Sequence, residues 1–310
     1  LTIHGYLTMI FRDQPTKEDA MRQKIKDRMR ALKMEIREHK SSFIVYVTLR
    51  ALVILVMILQ IFNRNYEGVF YCILTLILLM IPSFIQMELK IELPTTLEIF
   101  ILIFIFAAEI LGEIGSYYTK VANWDTMLHT INGFLAAAIG FSLVDILNRN
   151  EKVKVQLSPL FMAVVAFCFS MTIGVMWEFW ECGMDLFLGM DMQKDTIVHS
   201  ISTVMLDPTG GNRVVHIDNI KNTAVNGMEL GLGGYLDIGL IDTMKDLFVN
   251  FIGAVVFSII GFFYVKQRGK GKFANRFIPR IKDENADFLK IVEEDRKAEK
   301  VQKEDSDSNP

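Results

Sequence analysis

The chain gathers its apolar residues into long blocks separated by short polar connections, rather than spreading them at the spacing of a globular core. A run of about 20 apolar residues is what a helix needs to cross a bilayer. Six blocks approach or meet that length: Phe43–Phe62, Val69–Met87, Leu97–Leu111, Thr126–Leu147, Leu157–Glu181 and Thr243–Val265. The pattern predicts an all-α membrane protein with about six transmembrane helices. Residues 1–42 form a cytoplasmic N-terminal segment and 43–182 hold helices one to five. An extracytoplasmic loop follows over 183–241, helix six over 242–265 and a charged tail over 266–310. Gly133, Gly140, Gly174, Gly253 and Gly261, with Ala136, Ala137 and Ala138, allow the helix backbones to approach closely.

The polar connections add local detail. In the N-terminal segment, Met21, Ile25, Met29, Leu32 and Ile36 recur at helical spacing among ten Lys/Arg and six Asp/Glu, with Thr16 as the helix cap. This is a basic amphipathic helix, either solvated or lying on anionic lipid. The loop over 183–241 is too long to be structureless in an ordered protein. Its Pro208–Asn212 and Asn226–Gly227 stretches read as turns, and Arg213–Ile217 has strand character, so a small, partly β cap is expected.

Charge placement orients the spans. The N-terminal segment has ten Lys/Arg and the tail from Lys266 has twelve, whereas the connections after spans one and three hold only Arg64 and Lys120. Both termini are therefore expected in the cytoplasm. The acid-rich end, Asp305 to Pro310, reads as disordered. The formal net charge of −3 adds nothing to this, and three scattered cysteines give neither a disulfide framework nor a metal spacing.

With that topology, spans three to six place their carboxylates at one level. Span three ends with Glu109 and Glu113, and span four begins with Asp125 and His129, with Asn132 on the same face. Span five ends with Glu178, Glu181 and Asp185 below Ser170 and Gly174, and span six begins with Asp242, Asp246 and Asn250 at intervals of four. Ionisable side chains are costly inside a bilayer, so they mark a shared polar site near the outer leaflet. Carboxylates crowded together need protons or a cation. Oxygen donors with one imidazole suit a divalent metal such as zinc, manganese or magnesium. The candidate shell is His129, Glu178, Glu181, Asp242, Asp246 and Asn250; Asp125, His129, Glu178 and Asp246 are the catalytic candidates. Trp124, Trp177 and Trp180 read as site neighbours or as an aromatic belt. Arg50, nearer the cytoplasmic side of span one, either pairs with an acid or snorkels to the headgroups.

The segments Trp124-Asp-Thr-Met-Leu-His129 with Gly133, Trp177-Glu178 with Glu181, and Asp242-Thr-Met-Lys-Asp246 with Asn250 and Gly253-Ala254 resemble membrane proteins of the YjdF-like type. The last also resembles the C-terminal signature of VanZ-like proteins, the group named for a teicoplanin-resistance protein. The resemblance spans roughly residues 105–265; the basic N-terminal helix and the long outer loop depart from it. It implies a multi-pass protein of the bacterial cytoplasmic membrane tied to envelope lipids or drug resistance. It supplies no reaction, so the matching residues enter as site candidates without assigned roles.

Three functions are in competition. The leading one is handling of an envelope lipid or lipid-linked group, by metal-assisted hydrolysis or transfer. The second is a proton- or ion-coupled small-molecule carrier. The third is a non-catalytic membrane scaffold whose basic ends bind membrane lipid or a partner, with the outer acids merely structural. No phosphate-cradling glycine loop, serine nucleophile elbow or nucleic-acid-binding surface is evident.

Overall fold

The computed structural model describes residues 17–38, 40–88, 91–149, 157–267, 271–281 and 288–307. The N-terminal helices are α1 (Lys17–Glu38), α2 (Lys40–Phe62), α3 (Tyr66–Leu78) and α4 (Ile81–Glu88). After strand β1 (Ile91–Glu92), α5 (Thr95–Phe106) continues into a π-helical segment, Ala107–Ile114. The short α6 (Tyr117–Lys120) precedes two long helices, α7 (Trp124–Arg149) and α8 (Pro159–Leu188). Six strand pieces follow: β2 (Ile197–Val198), β3 (Ile201–Thr203), β4 (Val215–Ile217), β5 (Ala224–Val225), β6 (Met228–Glu229) and β7 (Tyr235–Leu236). The chain closes with α9 (Leu240–Lys266), a 3-10 turn at Ala274–Arg276, β8 (Arg280–Ile281) and α10 (Phe288–Asp307).

Among the described residues, five helical segments are long and apolar enough to cross a membrane: Lys40–Phe62, Tyr66–Gln86, Trp124–Asn148, Pro159–Leu188 and Leu240–Lys266. The third predicted span differs, because its α-helix stops after 12 residues and the i→i+5 pattern takes over. The second bends at Leu79–Met80, where Pro82 opens the first turn of α4 and needs no N–H partner. Helix ends are signalled locally. Asn65 accepts from Gly68 N at 3.1 Å, and Ser158, just before Pro159, accepts from Phe161 N at 3.2 Å. The predicted cap at Thr16 lies outside the described residues.

The described chain falls into two compact units, residues 1–106 with 279–310, and residues 107–278. In the first, α2 packs on α3 and α5, β1 pairs antiparallel with β8, and α1 packs on α10. Of the end expected to be disordered, Asp305 to Pro310, residues 305–307 belong to α10 instead; residues 308–310 lie outside the described set. Arg296 reaches Asp27 at 2.7 Å, and Gln23 donates to the other oxygen of that buried carboxylate. Arg50 stacks over the Tyr46 ring at 5.3 Å and donates to its hydroxyl, one turn back toward the start of α2.

In the second unit α7, α8 and α9 pack against one another around buried Phe141, Phe257, Met162 and Ala137. Small residues set the spacing. A Cβ on Gly133 would lie 2.1 Å from the Asn250 carbonyl oxygen, and one on Gly253 would lie 2.1 Å from that of Thr130. Helices α7 and α9 therefore touch backbone to backbone. Ser170 of α8 donates to the Gly133 carbonyl at 2.8 Å, closing the trio.

The loop between α8 and α9 is partly β, as its composition predicts. Strand β2 pairs with β7, β3 with β4, and β5 with β6. Asn226 and Gly227 both have positive φ and close the two-residue β5–β6 hairpin. Asp207 organises the Pro208–Asn212 turn, its carboxylate accepting from Thr209 N, the Thr209 hydroxyl and Arg213 N.

Candidate functional site

The site lies where α7, α8 and α9 meet the loop. Asp125 and His129 stand one turn apart on α7, so both face the same neighbours. His129 Nε2 is 3.4 Å from Asp125 Oδ1 and 3.9 Å from Asp246 Oδ2 of α9. On the other side of the ring, Nδ1 is 3.9 Å from Glu178 Oε1 of α8. One donor atom each from Asp125, His129 and Asp246 lies within 4.8 Å of the others. Asp246 is 1% exposed, Glu178 4% and His129 9%. Among the described residues, Asp125 Oδ2, Glu178 Oε2 and Asp246 Oδ1 are buried with no hydrogen-bond partner. Buried carboxylate oxygens are costly in that state, and a cation is one of the few things that satisfies several together.

Asp125 and Asp246 border a cavity of about 110 Å³, with room for an ion and several waters. Its walls include Asp125, Asp246, Glu181, Asp242 and Glu113, with Lys194, Lys245, Tyr118 and Trp124. Lys245 Nζ lies 3.9 Å from Asp125 Oδ2 and 4.0 Å from Asp242 Oδ1. Glu181 accepts from the Trp177 indole at 2.8 Å, so this tryptophan holds a site carboxylate rather than serving only as belt. Trp180 is 56% exposed and is not among the cavity walls.

Loop contacts hold the open side. Asp242 Oδ2 accepts from Lys194 N at 2.9 Å, and Gln193 donates from its amide to the Thr243 hydroxyl. Asp185 accepts from Met192 N and Gln193 N, which makes it a loop anchor. Burial alone would raise the Asp237 carboxyl, but N–H groups of Thr196, Ile241 and Gly239 outweigh it and hold it below the usual carboxylate range. That carboxylate caps the start of α9.

The sequence-predicted residues fall into three places. Asp125, Glu178 and Asp246 surround the His129 imidazole, and Glu181 and Asp242 join Asp125 and Asp246 in the cavity wall. Asn250 sits deeper, with both ends of its amide engaged: Oδ1 accepts from Asn132 at 3.2 Å, and Nδ2 donates to Ser170 O at 3.4 Å. It fastens the three helices and is not among the cavity walls. Glu109 is buried on the π-helical segment, while Glu113 reaches the cavity. Sequence reasoning missed Lys194 and Lys245. The signal for Lys245 was present, since it lies three residues after Asp242 and next to Asp246.

Apolar spans around a buried carboxylate–histidine cluster define a multi-pass membrane protein with a sheltered polar centre. The chain belongs to the family described as predicted membrane protein DUF2238, matched over residues 45–267, which takes in every cavity residue and leaves out α1 and α10. No curated protein and no solved structure matches it.

Proposed function

We propose that this protein binds a divalent cation at Asp125, His129 and Asp246 and uses it to act on an envelope lipid or lipid-linked group at one face of the membrane. The observation that carries the reading is the convergence of three donors from two helices on one sheltered point, with unsatisfied carboxylate oxygens beside a cavity. Ligands about 2.1 Å from a tetrahedral ion stand about 3.4 Å apart. The Asp125–His129 separation of 3.4 Å meets that, and the His129–Asp246 separation of 3.9 Å closes with a small side-chain shift. Glu178, on the Nδ1 side, is placed to orient the imidazole rather than to ligate. The cation would lower the pKa of a bound water for attack on an ester or phosphate, with a neighbouring carboxylate taking the proton.

The resemblance to YjdF-like and VanZ-like proteins supports a bacterial cytoplasmic membrane and an envelope-lipid substrate, and the Lys and Arg gathered at both ends of the chain support termini inside. The backbone contact at Gly133 and Gly253 closes the space between α7 and α9 about a turn from His129. This favours a site worked from one side over a proton- or ion-coupled carrier. The test is elemental analysis of purified full-length protein after loading with zinc, manganese or magnesium and dialysis. Near-stoichiometric metal is expected in the wild type, with loss in His129→Ala and Asp246→Asn. A wild type that retains no divalent metal removes the proposal; retained metal with unaltered cellular rescue by both variants favours the scaffold reading.

A further inference from the structure

Helix α1 has two unlike faces. One carries Asp27 and Ala31, both buried, and packs on α10 through the Arg296 ion pair. Roughly opposite, Met21, Ile25 and Met29 are 66%, 47% and 53% exposed. At about 100° per residue these three fall within an arc of about 80°. Exposed Lys24 and Arg28 flank the arc on one side, and exposed Arg22 and Lys33 flank it on the other. Arg22 pairs with Glu18 at 2.8 Å, which leaves the face basic as a whole. Only one residue separates α1 from the membrane-spanning α2. The C-terminal end of α1 is thereby tied to the membrane boundary, and its 22 residues extend about 33 Å from it.

We infer that the Met21–Ile25–Met29 face of α1 docks on the anionic lipid surface beside its own first span. The three apolar side chains enter the boundary between headgroups and acyl chains, while the flanking Lys and Arg meet lipid phosphates. Two features select this occupant over a second copy of the chain. The flanks are cationic, so identical faces repel. The covalent link to α2 also presents lipid to α1 at high effective concentration. Helix α10 covers the opposite face, leaving the apolar arc turned away from it. The inference is independent of the metal reading, since α1 contributes nothing to the cavity.

The test is backbone amide exchange of residues 17–38 in the full-length protein, reconstituted in nanodiscs of phosphatidylcholine alone or with added phosphatidylglycerol. Exchange is expected to slow by about fivefold or more in the anionic discs, with the difference collapsing at high salt. The triple variant Met21→Gln, Ile25→Gln, Met29→Gln should lose the difference while residues 288–307 keep their wild-type protection. Equal exchange in neutral and anionic discs overturns the inference. So does protection that follows protein concentration in detergent, which points to a second copy. If the triple variant does not fold, the lipid and salt arms on the wild type still decide.

Discussion

Replacing Gly133 with alanine tests the frame on which the site is built. The new methyl would stand 2.1 Å from the Asn250 carbonyl oxygen, more than an ångström inside ordinary contact at 3.4 Å. The obstructing atom belongs to backbone and has no rotamer to adopt, so α7 and α9 must part. Overpacking of this kind costs about 1–3 kcal/mol. Parting also stretches the Asn132–Asn250 hydrogen bond beyond its 3.2 Å, and interhelical bonds in membranes contribute about 0.6 kcal/mol each. Alanine returns up to about 1 kcal/mol through helix propensity. The net expectation is a destabilisation of about 2 kcal/mol. Gly253→Ala meets the Thr130 carbonyl at the same 2.1 Å, and the double variant should cost less than the sum, because one separation relieves both clashes. Metal affinity should fall in parallel, since Asp125 and His129 ride on α7 and Asp246 on α9. Gly183→Ala is the control: its methyl would find its nearest neighbour, Phe187 Cδ2, at 4.0 Å. Equilibrium unfolding in mild detergent or bicelles, beside metal titration, provides the measurement. Gly133→Ala as stable as Gly183→Ala would refute the close-contact argument.

Arg296→Ala should release α10 from α1, because the buried Asp27 carboxylate loses its 2.7 Å ion-pair partner and keeps only the Gln23 hydrogen bond; breaking a buried pair costs about 3 kcal/mol, read as faster proteolysis within 288–307. The Asp207 carboxyl is held below the usual carboxylate range by the Thr209 backbone N–H first and then the Thr209 hydroxyl. A depressed folded value stabilises the turn above the unfolded pKa of about 3.9 and loses that contribution as pH falls through the folded value. Amide exchange of residues 204–214, normalised to the free peptide, should therefore be unchanged from pH 7 to pH 5 and rise only in stronger acid. Asp207→Ala should show the raised exchange already at neutral pH.

The helices of the second unit were legible because hydrocarbon imposes one requirement on a long run of residues. The meeting of Asp125, His129, Glu178 and Asp246 was legible because one-turn spacing and the ends of spans leave few other arrangements. What escaped had short-range or three-dimensional causes. The π-helical pattern over Ala107–Ile114 depends on hydrogen-bond choice, which side-chain polarity does not encode. Asn250 shares the Asp242–Asp246 spacing, yet lies one turn deeper, where the facing partners are Asn132 and Ser170 instead of carboxylates. Lys245 escaped because a stripe drawn at intervals of four passes it by, although its long side chain folds back to Asp125 and Asp242. Helix α10 escaped because an acid-rich end reads as disordered, while the Asp27–Arg296 contact that sets α10 against α1 joins residues far apart in the chain.

Asp242 has two employments at once. One of its oxygens takes the backbone N–H of Lys194, while its side chain forms part of the cavity wall. A guest that drew Asp242 Oδ2 away from Lys194 N would loosen the loop residues that help wall the cavity, and a firm hold on Lys194 N would weaken that oxygen's grip on the guest. Through that one side chain, occupancy of the cavity and order of the 192–194 segment would each alter the other by the same free energy.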